Sequence, residues 1–112
     1  MIGIESIEAL VEQYAKHNWI LRRIVLTANE YDRRSKKLAL RFEVEIMPGA
    51  IDGAWFSRIN KGAEAWELRR LSGAPFAMVK VIEIDAEESA REAVLRGTET
   101  EMANSKAPPL EH

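Results

Sequence analysis

There is no cysteine among the 112 residues. That excludes a disulfide framework, a thiolate zinc site and a thiol nucleophile, so the fold must stand on packing alone. Histidine is nearly as scarce, with two in the chain. One of them closes the ending Leu110-Glu111-His112, which reads as the start of a purification tag. His17 is then the sole native histidine, and no site can rest on two histidines of one chain. A Ser-His-Asp arrangement would have to use His17, and the chain has no nucleophile-elbow motif. The six glycines are scattered at turn positions and form no phosphate-cradling loop. No His-x-x-x-His, cysteine pair or run of aspartates points to a metal. No cofactor is expected.

Long apolar runs are missing too, so no segment is suited to spanning a bilayer. The start, MIGIESIEAL, lacks a basic stretch and places acids where a signal peptide needs an apolar core. The expectation is a cytoplasmic protein of bacterial type with no membrane partner.

What is present is an ordinary globular balance, 46% hydrophobic and 30% charged. The length suits one domain, expected over residues 1–104, with residues 105–112 as a disordered tail. The net charge of −2 is unevenly spread. Residues 1–15 carry −3, residues 16–80 carry +6 and residues 81–112 carry −5. A basic middle between acidic ends can steer an anionic partner, although charge bears on association and not on fold.

The stretch that organises the chain is AWFSRINKGAEAWELRRLSGAPFAMVKVIEID, residues 54–85. It reads as a β-hairpin, strands 54–59 and 63–71, followed by a strand at 76–84 that is apolar on both faces and so suits the centre of a sheet. Two hairpin registers are open. A two-residue turn at Lys61-Gly62 opposes Ser57 to Trp66 and puts Trp55 and Trp66 on one face. A three-residue turn sends the tryptophans to opposite faces.

Before the hairpin, residues 4–17 read as an amphipathic helix with Ile4, Ile7, Leu10, Val11 and Tyr14 on one face and Asn18 as its stop. Residues 19–28 read as a strand covered on both sides, or one with a bulge at Arg22-Arg23. Residues 29–37 read as a polar, basic hairpin tip. Residues 38–46 alternate apolar and polar and read as a strand paired with the one before. After the organising stretch, Asp85 and Glu88 resemble a capping box opening a last helix whose apolar face is Ala86, Ala90, Ala93, Val94 and Met102. The expected architecture is α+β. A mostly antiparallel five-stranded sheet carries an N-terminal and a C-terminal helix, in the order α-β-β-β-β-β-α.

The candidate site is the set Trp55, Arg58, Trp66, Arg69 and Arg70 on the hairpin. Arginine binds carboxylate or phosphate in a fork, and tryptophan supplies stacking area. The bland alternative is a core of buried tryptophans with arginines paired to Glu64, Glu67 and Glu83. A secondary basic patch is Arg33, Arg34, Lys36 and Lys37, which could meet phosphate or simply water. Three function classes follow. The leading one is a non-enzymatic protein-binding or adaptor module that uses residues 55–70 to engage a partner or a second copy, as a homodimer. The second is a binder of an anionic small ligand or single-stranded nucleic acid. The third is an enzyme acting on a small anionic substrate.

Overall fold

The computed structural model describes residues 1–105. Of the expected tail, residues 105–112, all but Ser105 lies outside them. The elements are α1 (Ile4–Ala15), β1 (Ile20–Leu26), α2 (Ala28–Phe42), β2 (Glu45–Pro48), β3 (Gly53–Asn60), β4 (Ala63–Arg70), β5 (Ala77–Glu83) and α3 (Glu88–Asn104). The class is α+β, with five strands and a helix at each end, and the sheet is mostly antiparallel. Strand order is β2-β1-β3-β4-β5, and β1 with β2 is the one parallel pair.

Two expectations are corrected together. Residues 29–37 are not a hairpin tip, and residues 38–42 are not the start of a strand; both belong to α2. The order therefore gains a third helix. The alternation Leu38, Leu40, Phe42 belongs to a helix in which Leu38 is buried and Leu40 is 83% exposed. The stripe that packs inward is Tyr31, Leu38 and Phe42, spaced by seven and four, as one face of a 3.6-residue period demands. Parallel strands cannot be joined by a tight turn, and α2 is the crossover that joins β1 to β2. The helix stops at Glu43, whose φ of 54° is left-handed and whose N–H donates to Ala39 O. A glutamate in that conformation gives no C-cap signal of the glycine kind.

The hairpin takes the two-residue turn. Lys61 and Gly62 have φ of 52° and 84°, the pair of positive values that a type I′ turn needs. Ser57 opposes Trp66 and Trp55 opposes Leu68. Both tryptophans face α3, edge to face with centroids 6.1 Å apart. The register of β1 against β3 slips between Leu21 and Arg23, at the position where the arginine pair suggested a bulge. The slip lets Arg22 reach Ser57 and Arg23 reach Glu92 on the same side of the sheet.

Strand β5 corrects another expectation. It lies at the sheet edge, not at its centre. Met78 and Ile82 turn toward the core under α3. On the other face Val79 and Val81 are exposed. That face is apolar without being covered.

The core is two layers. Under α3 lie Val25, Ile51, Trp55, Trp66, Leu68, Ile82, Leu95 and Met102. Under α1 and α2 lie Ile7, Ile24, Leu26, Leu38, Ala54, Phe56 and Leu71. The inward face of the C-terminal segment agrees with the expected one at Met102 and Ala86 and departs from it at Ala90, Ala93 and Val94. Leu95, Thr98, Glu99 and Met102 are buried, while Ala90 and Ala93 are exposed. The helix also begins at Glu88, without the expected capping box. Buried Glu99 accepts from Trp55 Nε1 at 2.9 Å and from Arg96 Nη1 at 2.9 Å. Arg23 grips Glu92 with two bonds of 3.0 and 2.8 Å. A second polar knot is Asp52, which accepts from Thr27 N, Thr27 Oγ1 and Ser72 Oγ at 2.7–3.0 Å. It ties the start of α2 to the turn after β4.

The paired Arg23 guanidinium, through its hydrogen bonds, holds the Glu92 carboxyl below the ordinary glutamate range against the opposing effect of burial. The folded chain thus binds that proton less readily than the unfolded chain. This part of the stability is complete above the unfolded glutamate value, about 4.3, and is lost as pH falls through the lower folded value. Urea midpoints measured from pH 7 downward should fall less steeply in Glu92→Gln than in the parent chain; parallel curves contradict the assignment.

Candidate functional site

The hairpin sends its candidate residues to three different places. Trp55 and Trp66 are 0% and 2% exposed, and their rings belong to the core under α3. They offer no free face for stacking a base or a ligand. Arg70 shares their side of the sheet, over the Phe76 ring at 5.5 Å. Arg58 and Arg69 lie on the opposite side, by the alternation of side chains along a strand. Their rows in the β3–β4 ladder, Arg58↔Ala65 and Ala54↔Arg69, are four residues apart, roughly 13 Å at the strand rise. The arginines and tryptophans therefore form no common platform. Among the described residues none of the three hairpin arginines forms the expected bridge to Glu64, Glu67 or Glu83; Glu64 has Arg22 of β1 at 3.6 Å. Glu67 instead meets a tyrosine.

That tyrosine begins the open side of the molecule. Helix α1 ends with Trp19 N bonded to Tyr14 O and Asn18 at φ 68°, a left-handed stop of the kind the asparagine suggested. His17 lies in this turn and not in the last turn of the helix. Arg58 donates to His17 O at 3.0 Å and covers the Trp19 ring at 4.7 Å. Tyr14 stacks on Phe56 with centroids 3.9 Å apart and meets Trp19 edge-on at 6.4 Å. Its hydroxyl donates to Glu67 Oε2. Gln13, Tyr14, His17, Trp19 and Glu67 line a depression of about 270 Å³. Burial first, then the Glu67 carboxylate, pushes the Tyr14 phenol well above its ordinary value, with Arg69 opposing.

The depression continues into the uncovered strip. Glu67 pairs with Val79 and Ala65 with Val81, so the rim of the pocket and the exposed valines are neighbours on one face. Strand β5 also leaves one edge free. Arg70 N bonds Phe76 O and Ile84 N bonds Gly62 O, which sets the phase of the ladder. Even-numbered residues of β5 bond to β4, and the N–H and C=O groups of Ala77, Val79, Val81 and Glu83 point outward. The other edge strand, β2, is four residues long and ends in Pro48, a blunted edge.

The basic cluster is a helix face. Arg33, Arg34 and Lys37 line a concavity of about 330 Å³ with Ile4 and Leu38. Lys36 lies round the helix beside Tyr31, Ser35, Ala39 and Ile46. Among the described residues no group of three His, Asp or Glu side chains could hold a metal, and no helix is long and apolar enough to cross a membrane. Sequence reasoning missed Tyr14 with Glu67, and it missed the uncovered face of β5. The latter had a signal, namely apolar residues on both faces, but the same pattern serves a buried central strand.

Comparison with protein families, with characterised proteins and with solved structures finds no match.

Removing the Tyr14 hydroxyl leaves the Glu67 carboxylate short of a donor. Tyr14→Phe should cost about 1.5–3 kcal/mol in urea unfolding, the value of one hydrogen bond to a charged group. In an alkaline absorbance titration of the parent, one of the two tyrosines should stay protonated beyond the usual range near 10. Two tyrosines titrating together in the ordinary range, or a Tyr14→Phe chain of unchanged stability, contradict the bond.

Proposed function

We propose that this chain is a non-enzymatic binding module that associates through β5, and that the occupant of the β5 edge is a second copy of the same chain. The observation that carries the reading is the pattern on β5. Val79 and Val81 are exposed on one face, and the outward main-chain groups belong to those same residues. An unprotected strand edge with apolar side chains is a template for another strand.

A two-fold axis makes such pairing self-complementary. With Val79 on the axis, Ala77 of one copy meets Val81 of the other, and Lys80 of each copy lies beside Met78 of its neighbour. An axis on Lys80 would set the two lysines opposite each other, which is unfavourable. Pairing centred on Val79 avoids that clash and leaves the Lys80–Glu101 contact of 3.3 Å undisturbed. The joined sheets bring the exposed valines of both copies side by side, next to the two depressions lined by Tyr14 and Glu67.

The hairpin's part is structural in this reading. Strand β4 holds β5 in place, and Trp55 and Trp66 fix the sheet from the other side. Two of the groups that line the depression, Tyr14 and Glu67, are engaged with each other.

Val79→Pro is the decisive variant. It removes an outward N–H that β4 does not use, so the folded monomer keeps its ladder. Light scattering across a concentration series should show the parent chain as a dimer and Val79→Pro as a monomer with an unchanged circular dichroism spectrum. A parent chain that is monomeric up to millimolar concentration overturns the second-copy reading, as does a Val79→Pro chain that still dimerises.

A further inference from the structure

We infer that the concavity between α1 and α2 is a binding site for a small phosphate monoester. It lies on the same side of the sheet as the depression but at the opposite end of α1, and it does not depend on the β5 edge. Arg33, Arg34 and Lys37 line it with Ile4 and Leu38.

Spacings of three and four put these cations on one face of α2, where like charges repel and weaken an isolated helix. Only Glu30 answers them among the described residues. It lies 3.0 Å from Arg34 and 3.9 Å from Arg33, and among the described residues no carboxylate bridges Lys37. Arg41, the next cation along the helix, is already held by Glu8. Three cations against one carboxylate leave a surplus of two positive charges in one hollow. A phosphate monoester carries about −1.5 to −2 at neutral pH; Arg33 presents a fork that suits its oxygens, while Arg34, whose Nε holds Glu30 and whose Nη1 donates to Ile2 O, adds its charge.

The size and the floor of the hollow narrow the ligand. Its volume, about 330 Å³, is at the small end for ligand pockets, which begin near 300 Å³. It suits a phosphate on a compact organic body better than a polymer. Ile4 and Leu38 give that body an apolar floor. A nucleic-acid track would need cations continuing beyond the hollow, and the neighbouring Lys36 lies round the helix from it. The amides of the first turn of α1 open at this end, and Gly3 gives them no side-chain cap.

The test is a titration of the isotope-labelled full chain with phenyl phosphate, and separately with inorganic phosphate, followed by NMR. Saturable shifts are expected at the amides of Ile4, Glu5 and Ser6 and at the side-chain Nε of Arg33 and Arg34. Phenyl phosphate should bind more tightly than inorganic phosphate because of the apolar floor. Arg33→Gln with Lys37→Gln should weaken phenyl phosphate by about tenfold or more, and Arg33→Gln alone should weaken it less. Lys36→Gln, outside the hollow, should leave it unchanged. Shifts that do not saturate, or equal weakening by Lys36→Gln, overturn the site. A single-stranded oligonucleotide that competes more strongly than phenyl phosphate would assign the cations to nucleic acid instead.

Discussion

The hydrogen bond from the Trp55 indole to the Glu99 carboxylate governs how the sheet is covered. Glu99 is 2% exposed. A buried carboxylate is tolerated only where it is paired and hydrogen-bonded, and Trp55 and Arg96 supply both. From this point α3 is stitched across the sheet. Glu92 takes Arg23 of β1, Arg96 reaches Pro48 O of β2, and Glu101 meets Lys80 of β5. Leu95 and Met102 fill the space between these polar contacts. One face of the sheet is thereby closed from edge to edge.

The other face is closed only in part. Helices α1 and α2 cover Ile24, Leu26, Ala54 and Phe56 and stop short of β5. The step between covered and uncovered sheet is where Tyr14, Trp19 and Glu67 meet. The proposed association through β5 follows from this asymmetry. A strand whose inner face is core and whose outer face is valine sits at an edge with its main-chain groups unused. Covering that face and that edge is one and the same event for a neighbouring strand. Helix α2 contributes differently. It makes the crossover that parallel β1 and β2 require, and it turns a cationic face toward the start of α1.

Much of this fold was legible. The hydrophobic face of α1 and the hairpin's place around Lys61-Gly62 follow from local chemistry. The turn length, and with it the faces of β3, stayed open between two registers, and the irregularity at the arginine pair was one of two readings of β1. The terminal helices and the mixed α+β class follow from the order of the segments. Helix α2 was not legible because Leu38, Leu40 and Phe42 alternate over a span too short to separate the two periods, and most of the helix is charged. The inward face of α3 was hidden by its own key residue, since a glutamate interrupts the apolar stripe that the eye seeks. The edge position of β5 could not be read from a pattern shared with central strands. Of the candidate residues, the tryptophans were core, as the bland alternative had it. The arginines were parted by strand alternation once the register was set. Within the basic cluster, helical spacing gathered Arg33, Arg34 and Lys37 and set Lys36 aside.

The most direct test of this account is native-state hydrogen exchange at the three indole N–H groups. Trp55 Nε1 bonds to buried Glu99, while Trp19 lies half-buried on the open side. If α3 is locked through Glu99, the Trp55 indole exchanges only with global unfolding and is the slowest of the three, far behind Trp19. A Trp55 indole that exchanges as fast as that of Trp19 would show that α3 opens freely, and the closed face on which the rest depends would not exist.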